Sequence, residues 1–181
     1  MKALLVVDVQ NDFTPGGALP AEQGHAVISV INALMAQFPL VVASRDWHPQ
    51  DTVHFERWPV HCVKFSAGAE YDPLLDKEKI DQEFLKGTDP ETDSGYSAFE
   101  ATSEDLDKYL REHDVDELYV VGLTTEYCVK ATVLDAVNLG YKTFVVTDAV
   151  AAVNMLDAAA ALEDMRRHNA SLVGSQAVLA Q

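Results

Sequence analysis

Apolar runs with no polar partner in the alternation constrain this chain more than any other feature. In residues 3–9, Ala3-Leu4-Leu5-Val6-Val7-Asp8-Val9, every position before Asp8 is apolar. A strand of that kind must be covered on both faces. Comparable runs recur at Pro39-Leu40-Val41-Val42-Ala43-Ser44, at 117–123 and at 141–147, with a short one at Ser171-Leu172-Val173. Segments of helical period lie between them. The first, 25–38, repeats apolar residues at Val27, Ile28, Ile31, Leu34, Met35 and Phe38. A second, 97–113, opens with Ser97 and Glu100 at capping-box spacing. Two more follow at 125–139, closed by Gly140, and at 157–168. Strands alternating with helices predict an α/β fold of three α/β/α layers around a mostly parallel central sheet. One domain over 1–181 is expected, with an irregular excursion at about 45–97 that builds a metal site and a lid.

Ligands in such sheets sit beyond the carboxyl ends of the strands. That rule selects Asp8, the Ser44-Arg45-Asp46 corner, the turn from Gly122 to Cys128, and Asp148. Charge narrows what can bind there. Thirteen basic against 29 acidic side chains give a net charge of −16, which repels nucleic acid and anionic membranes and disfavours anionic substrates. No apolar run approaches the roughly 20 residues of a membrane span. The apolar start ends at an acid after a few residues and reads as a strand rather than a signal peptide. A cytoplasmic protein with two free thiols, Cys62 and Cys128, is the expectation.

Four groups of residues could carry chemistry. Asp46, His48, His54 and His61 lie within sixteen residues just past a strand; they suit zinc, iron or manganese, or are ordinary loop histidines. Cys128 falls in the first turn of a helix if Thr125 is its N-cap, where unpaired amides and the dipole favour a thiolate and can receive an oxyanion. Its bland reading is a buried inert cysteine, the reading that stands for Cys62. Asp8 is either a turn residue or a general base. Lys86, after Phe84-Leu85, is either solvated or a buried cation that needs an anionic partner.

Taken in order, the stretches Asp8-Val9-Gln10-Asn11-Asp12-Phe13, Arg45-Asp46-Trp47-His48-Pro49, Trp58-Pro59-Val60-His61-Cys62-Val63, Lys86-Gly87 and Gly122-Leu123-Thr124-Thr125-Glu126-Tyr127-Cys128-Val129 resemble the nicotinamidases, or pyrazinamidases, of the isochorismatase-like cysteine hydrolases. The resemblance implies Cys128 as nucleophile, Asp8 as general base and then acid, and Lys86 as the cation orienting both. It implies one divalent metal, zinc first and iron or manganese next, held by Asp46, His48 and His61. His54 would be the fourth ligand, with Glu56 its substitute. It further implies a cis peptide before Thr124, an oxyanion site at the amides of Thr124 and Cys128, and Phe13, Trp58 and Tyr96 flanking a pyridine ring. Segment 88–94 departs from the family form. The implied activity is deamidation of nicotinamide to nicotinate in NAD salvage, by an enzyme that could be a homo-oligomer. The rival readings are a metal-free hydrolase of carbamoyl or ureido amides, a vinyl-ether hydrolase needing no thiol, and a non-catalytic binding module.

Overall fold

A computed structural model describes residues 1–181. Six strands form one parallel sheet: β1 (Lys2–Val7), β2 (Val41–Asp46), β3 (Gln82–Lys86), β4 (Glu117–Leu123), β5 (Lys142–Ala151) and β6 (Ser171–Val173), in the order β3-β2-β1-β4-β5-β6. The helices are α1 (Gly24–Met35), α2 (His54–Arg57), α3 (Leu106–Glu112), α4 (Lys130–Asn138), α5 (Met155–Arg167) and α6 (Ser175–Leu179). The apolar runs divide by parity, as strand geometry demands. Leu4 and Val6 of β1 join Tyr119, Val121 and Leu123 of β4 in a core under α1 and α6. Ala3, Leu5 and Val7 join Leu118 and Val120 in a second core under α3, α4 and α5. Three layers follow, as expected.

The strand order reverses direction of growth between β1 and β4. The chain leaving those two strands therefore faces a crevice at their carboxyl ends. Asp8 ends β1 in a left-handed conformation (φ 50°), so the strand stops at Val7 and not at Val9. Gly122 in β4 has φ 113°, and a Cβ there would stand 2.1 Å from the carbonyl oxygen of Val7. Only glycine lets β4 approach β1 this closely beside Asp8.

Three local expectations are corrected. The helix expected over 97–113 is broken. Its capping box is real, but it opens a single 3-10 turn at Ala98–Glu100, and α3 begins afresh at Leu106, capped by Asp105. The break has a cause: the Thr102 amide donates to Leu85 O (2.9 Å) and Ser103 Oγ accepts from the Leu85 amide (2.8 Å), so 102–103 cover the open edge of β3. The helix expected from 125 starts with a wide π turn, Thr125–Val129, before α4, with Thr124 rather than Thr125 as its N-cap. Finally, β5 runs on to Ala151 through an irregular register, and its Asp148 accepts hydrogen bonds from the amide and hydroxyl of Ser175 (2.8 and 2.5 Å). Asp148 caps α6 and stands outside the site.

Candidate active site

Three strand ends meet at Lys86. It closes β3, the neighbour of β2, and its ammonium is fully buried. Nζ lies 2.8 Å from Asp8 Oδ2, 2.5 Å from Asp46 Oδ1, 2.8 Å from the Gly95 carbonyl and 3.4 Å from Cys128 Sγ. The apolar run Phe84-Leu85 does carry a cation inside, and it is matched there by two carboxylates. Asp8, Asp46 and Cys128 present their reactive atoms within 4.8 Å of one another.

The electrostatics differ from the sequence expectation for Cys128. Burial pushes its thiol pKa up; the Lys86 charge opposes this, while Asp8 and Asp46 reinforce it. Desolvation and two carboxylates favour the neutral thiol over the thiolate, against the start of a short wide turn. Asp8 shows the complementary shift. Burial raises its carboxyl to about 6, against the lowering influence of Lys86 and a hydrogen bond from Ser44 Oγ (2.8 Å). An acid poised near neutrality next to a neutral thiol can take its proton. Burial also opposes the charge of Asp46, yet Lys86 and the neighbouring imidazoles hold its carboxyl well below the usual range. Asp46 stays an anion.

Beyond Asp46 lie His48, His54 and His61, with candidate ligand nitrogens mutually within 4.8 Å. Each ring spends its Nδ1 elsewhere. His48 Nδ1 donates to the Gly87 carbonyl (2.9 Å), His61 Nδ1 to the Pro59 carbonyl (2.6 Å) and His54 Nδ1 to Asp93 Oδ1 (2.6 Å). Carbonyls and carboxylates only accept, so each Nδ1 carries a proton and Nε2 is the atom each ring can offer to a ligand. His48 Nε2 is buried without a well-formed hydrogen bond, 3.3 Å from Asp46 Oδ2; His61 Nε2 is 3.8 Å from the same oxygen. Burial lowers the pKa of His54 and His61, which keeps them neutral. Rings with Nδ1 tied down and Nε2 converging beside a carboxylate suit a divalent cation. The chain's own atoms therefore fit a divalent metal. His54 belongs to this group, whereas Glu56 is exposed.

A narrow pocket connects the two groups, lined by Phe13, Leu19, Trp58, Tyr96, Thr124 and Tyr127 together with Cys128, Asp46, His54 and His61. Of the residues singled out from sequence, Phe13, Asp46, His54, Trp58, His61, Tyr96, Thr124 and Cys128 line this pocket, and Asp8 and Lys86 meet Asp46 and Cys128 beside it. The Leu123–Thr124 peptide is cis, and the Thr124 amide has no acceptor within the chain. Trp58 Nε1 donates to Tyr96 Oη (2.9 Å), and Tyr127 packs edge-on against Trp58 (4.8 Å). Missing from the sequence reading were Asp93, the hydrogen bond from Ser44 to Asp8, the packing of Tyr127 on Trp58 and the Lys86–Asp46 pair. Tyr127 was adjacent to Cys128 and could have been noticed; Asp93, in a polar loop, gave no local signal. A roomier depression between Lys130 and Arg167 is open to solvent and lined by mutually paired charges such as Lys130–Asp164.

Comparison with known proteins agrees with this geometry. The isochorismatase domain family matches residues 2–177. The chain belongs to the isochorismatase family. It is similar to the nicotinamidase of Escherichia coli, 42% identical, with 94% of this chain and 93% of the relative aligned. Among solved structures it resembles pyrazinamidase of Pyrococcus horikoshii in complex with zinc, at 39% identity and TM-score 0.87, covering 96% of this chain and 98% of that one. It also resembles PnC1 from L. infantum in complex with nicotinate, at 32% identity and TM-score 0.91, covering 98% and 94%. No helix is long and apolar enough to cross a membrane.

Proposed function

We propose that this isochorismatase-family hydrolase deamidates nicotinamide to nicotinate and ammonia through a thioester on Cys128, a reaction of NAD salvage. The observation that carries the reading is that a Cys–Lys–Asp group and a set of converging imidazoles open onto one aromatic-lined pocket and share Asp46 between them. The nicotinamidase relatives and the nicotinate complex support the same substrate.

Phe13, Trp58 and Tyr96 flank a neutral pyridine ring, and aromatic faces hold such a ring without requiring charge. His48, His54, His61 and Asp46 would hold the metal, zinc by the likeness to the zinc-bound pyrazinamidase. When bound, it supplies a Lewis-acid position for the pyridine nitrogen. Orientation then brings the carboxamide over Cys128 and removes part of the entropic barrier. Asp8 takes the thiol proton while Lys86, beside both, balances the charge that moves onto sulfur. Sulfur attacks the carbonyl carbon, and the resulting oxyanion meets the amides of Thr124 and Cys128. As the C–N bond breaks, Asp8 returns the proton and ammonia leaves. Asp8 next takes a proton from water, whose oxygen attacks the thioester; nicotinate departs and sulfur is reprotonated.

The ureido and carbamoyl reading shares the triad but has no use for three converging imidazoles. The deciding experiment offers purified protein nicotinamide and a series of ureido compounds and follows ammonia. Release from nicotinamide, lost in Cys128→Ala, is expected; release from ureido compounds alone would overturn the reading.

A further inference from the structure

The three imidazoles are not held alike. His48 and His61 donate to backbone carbonyls, of Gly87 and Pro59, which follow the main chain wherever the strands place it. His54 alone is oriented by a side chain, Asp93, which stands 39 residues away in the loop 87–96. The same carboxylate oxygen, Oδ1, also accepts from Tyr96 Oη at 2.7 Å. Tyr96 Oη in turn accepts from Trp58 Nε1 at 2.9 Å. A continuous chain of hydrogen bonds thus runs from a metal-side imidazole, through one carboxylate oxygen, to two walls of the ring pocket. The loop is pinned where it returns to the site, because the Gly95 carbonyl accepts from Lys86 Nζ. Asp93 itself is about a third exposed, with Arg57 3.5 Å from its other oxygen, so nothing in the core requires a carboxylate there.

We propose that Asp93 is a positioning residue that couples metal binding at His54 to the closure of the Trp58–Tyr96 wall around the ring. It touches neither substrate nor metal. It orients His54 as a ligand and strengthens its basicity, as outer carboxylates do for metal-bound histidines. Through the shared oxygen it holds Tyr96 and Trp58 in the same arrangement. Whatever fixes His54 therefore fixes the wall, and by reciprocity a seated ring favours the metal. This rests on the nicotinamidase reading given above.

The test uses the intact chain, stripped of metal and titrated with zinc against a coloured chelator, with nicotinamide KM and kcat then measured by ammonia release at saturating zinc. For Asp93→Ala, zinc affinity falls about 10–100-fold, and KM rises about 3–10-fold at saturating zinc with kcat less affected. Tyr96→Phe cuts only the link to the wall: KM rises and zinc affinity stays put. The KM effects of the two substitutions do not add in the double variant, because they break one chain of bonds. Asp93→Asn keeps an acceptor oxygen and restores KM to within about threefold and zinc affinity in part. It also serves as the folded comparison should the alanine variant prove unstable. Zinc affinity and KM both within about twofold of wild type in Asp93→Ala, or a change in one alone, would overturn the coupling. A wild type that releases no ammonia from nicotinamide would instead bring down the functional reading and the coupling together.

Discussion

The two halves of the site are built by different means. The nucleophile half stands on strand ends: Asp8 after β1, Lys86 closing β3, Cys128 in the turn after β4, all buried. Sheet register sets the spacing of the strand ends from which these residues follow. Apart from Phe13, the ring-and-metal half comes from 47–96, where only short helical turns occur before β3. Its side chains are placed one at a time by hydrogen bonds to carbonyls, to Asp93 and to each other. Only Asp46, at the end of β2, belongs to both. On the proposed reading the chemistry is tied to the fold and the choice of substrate to a loop, which is how one scaffold can serve several amides.

Substitutions should separate the halves, most strongly at the nucleophile. Cys128→Ala is expected to lower kcat for nicotinamide by about 10⁴-fold or more while leaving zinc affinity unaltered; turnover and chelator competition measure the two. Lys86→Met comes next, because it leaves the Asp8 and Asp46 carboxylates buried without their cation. A loss of about 3–5 kcal/mol of stability is expected, read by denaturant unfolding, along with loss of activity.

Gly87→Ala should fall on the other half. Gly87 has φ 65°, and a Cβ there would stand 2.5 Å from the His48 ring. Zinc affinity should drop about 10-fold or more as His48 is displaced, while Cys128 keeps its reactivity toward a thiol reagent.

These contrasts match what the sequence made legible. The nucleophile half could be read because strand runs announce themselves by composition, and the residue ending each run is thereby placed at the crevice. Asp8, Asp46 and Cys128 were found this way, and so was Lys86 once its apolar lead-in was noticed. The fold was legible for the same reason, except at 97–113, where edge-covering bonds from Thr102 and Ser103 compete with a helix that local periodicity favours. The charge state of Cys128 was misjudged because burial and two carboxylates are tertiary facts, invisible to an argument about one turn. Asp93 sits in Thr88-Asp89-Pro90-Glu91-Thr92-Asp93-Ser94, where nothing local separates it from Asp89 or Glu91. Only the folded chain brings it to His54.

The smallest expected effects concern pH. In the proposed reaction Asp8 acts as a base only when ionised, and burial raises its carboxyl to about 6. kcat/KM should thus be level above that pH and fall about tenfold per unit below it. Ser44 Oγ donates to the charged form, so Ser44→Ala should move this acid limb upward by about 0.5–1 unit, a shift visible in the pH–rate profile.

The most direct measurement is acid quenching of the enzyme during turnover of nicotinamide, followed by peptide mass spectrometry. A nicotinoyl group in place of the thiol hydrogen on the peptide bearing Cys128 is the predicted result. Nicotinate formation that continues in Cys128→Ala, with no acyl group ever found on that peptide, would contradict the account.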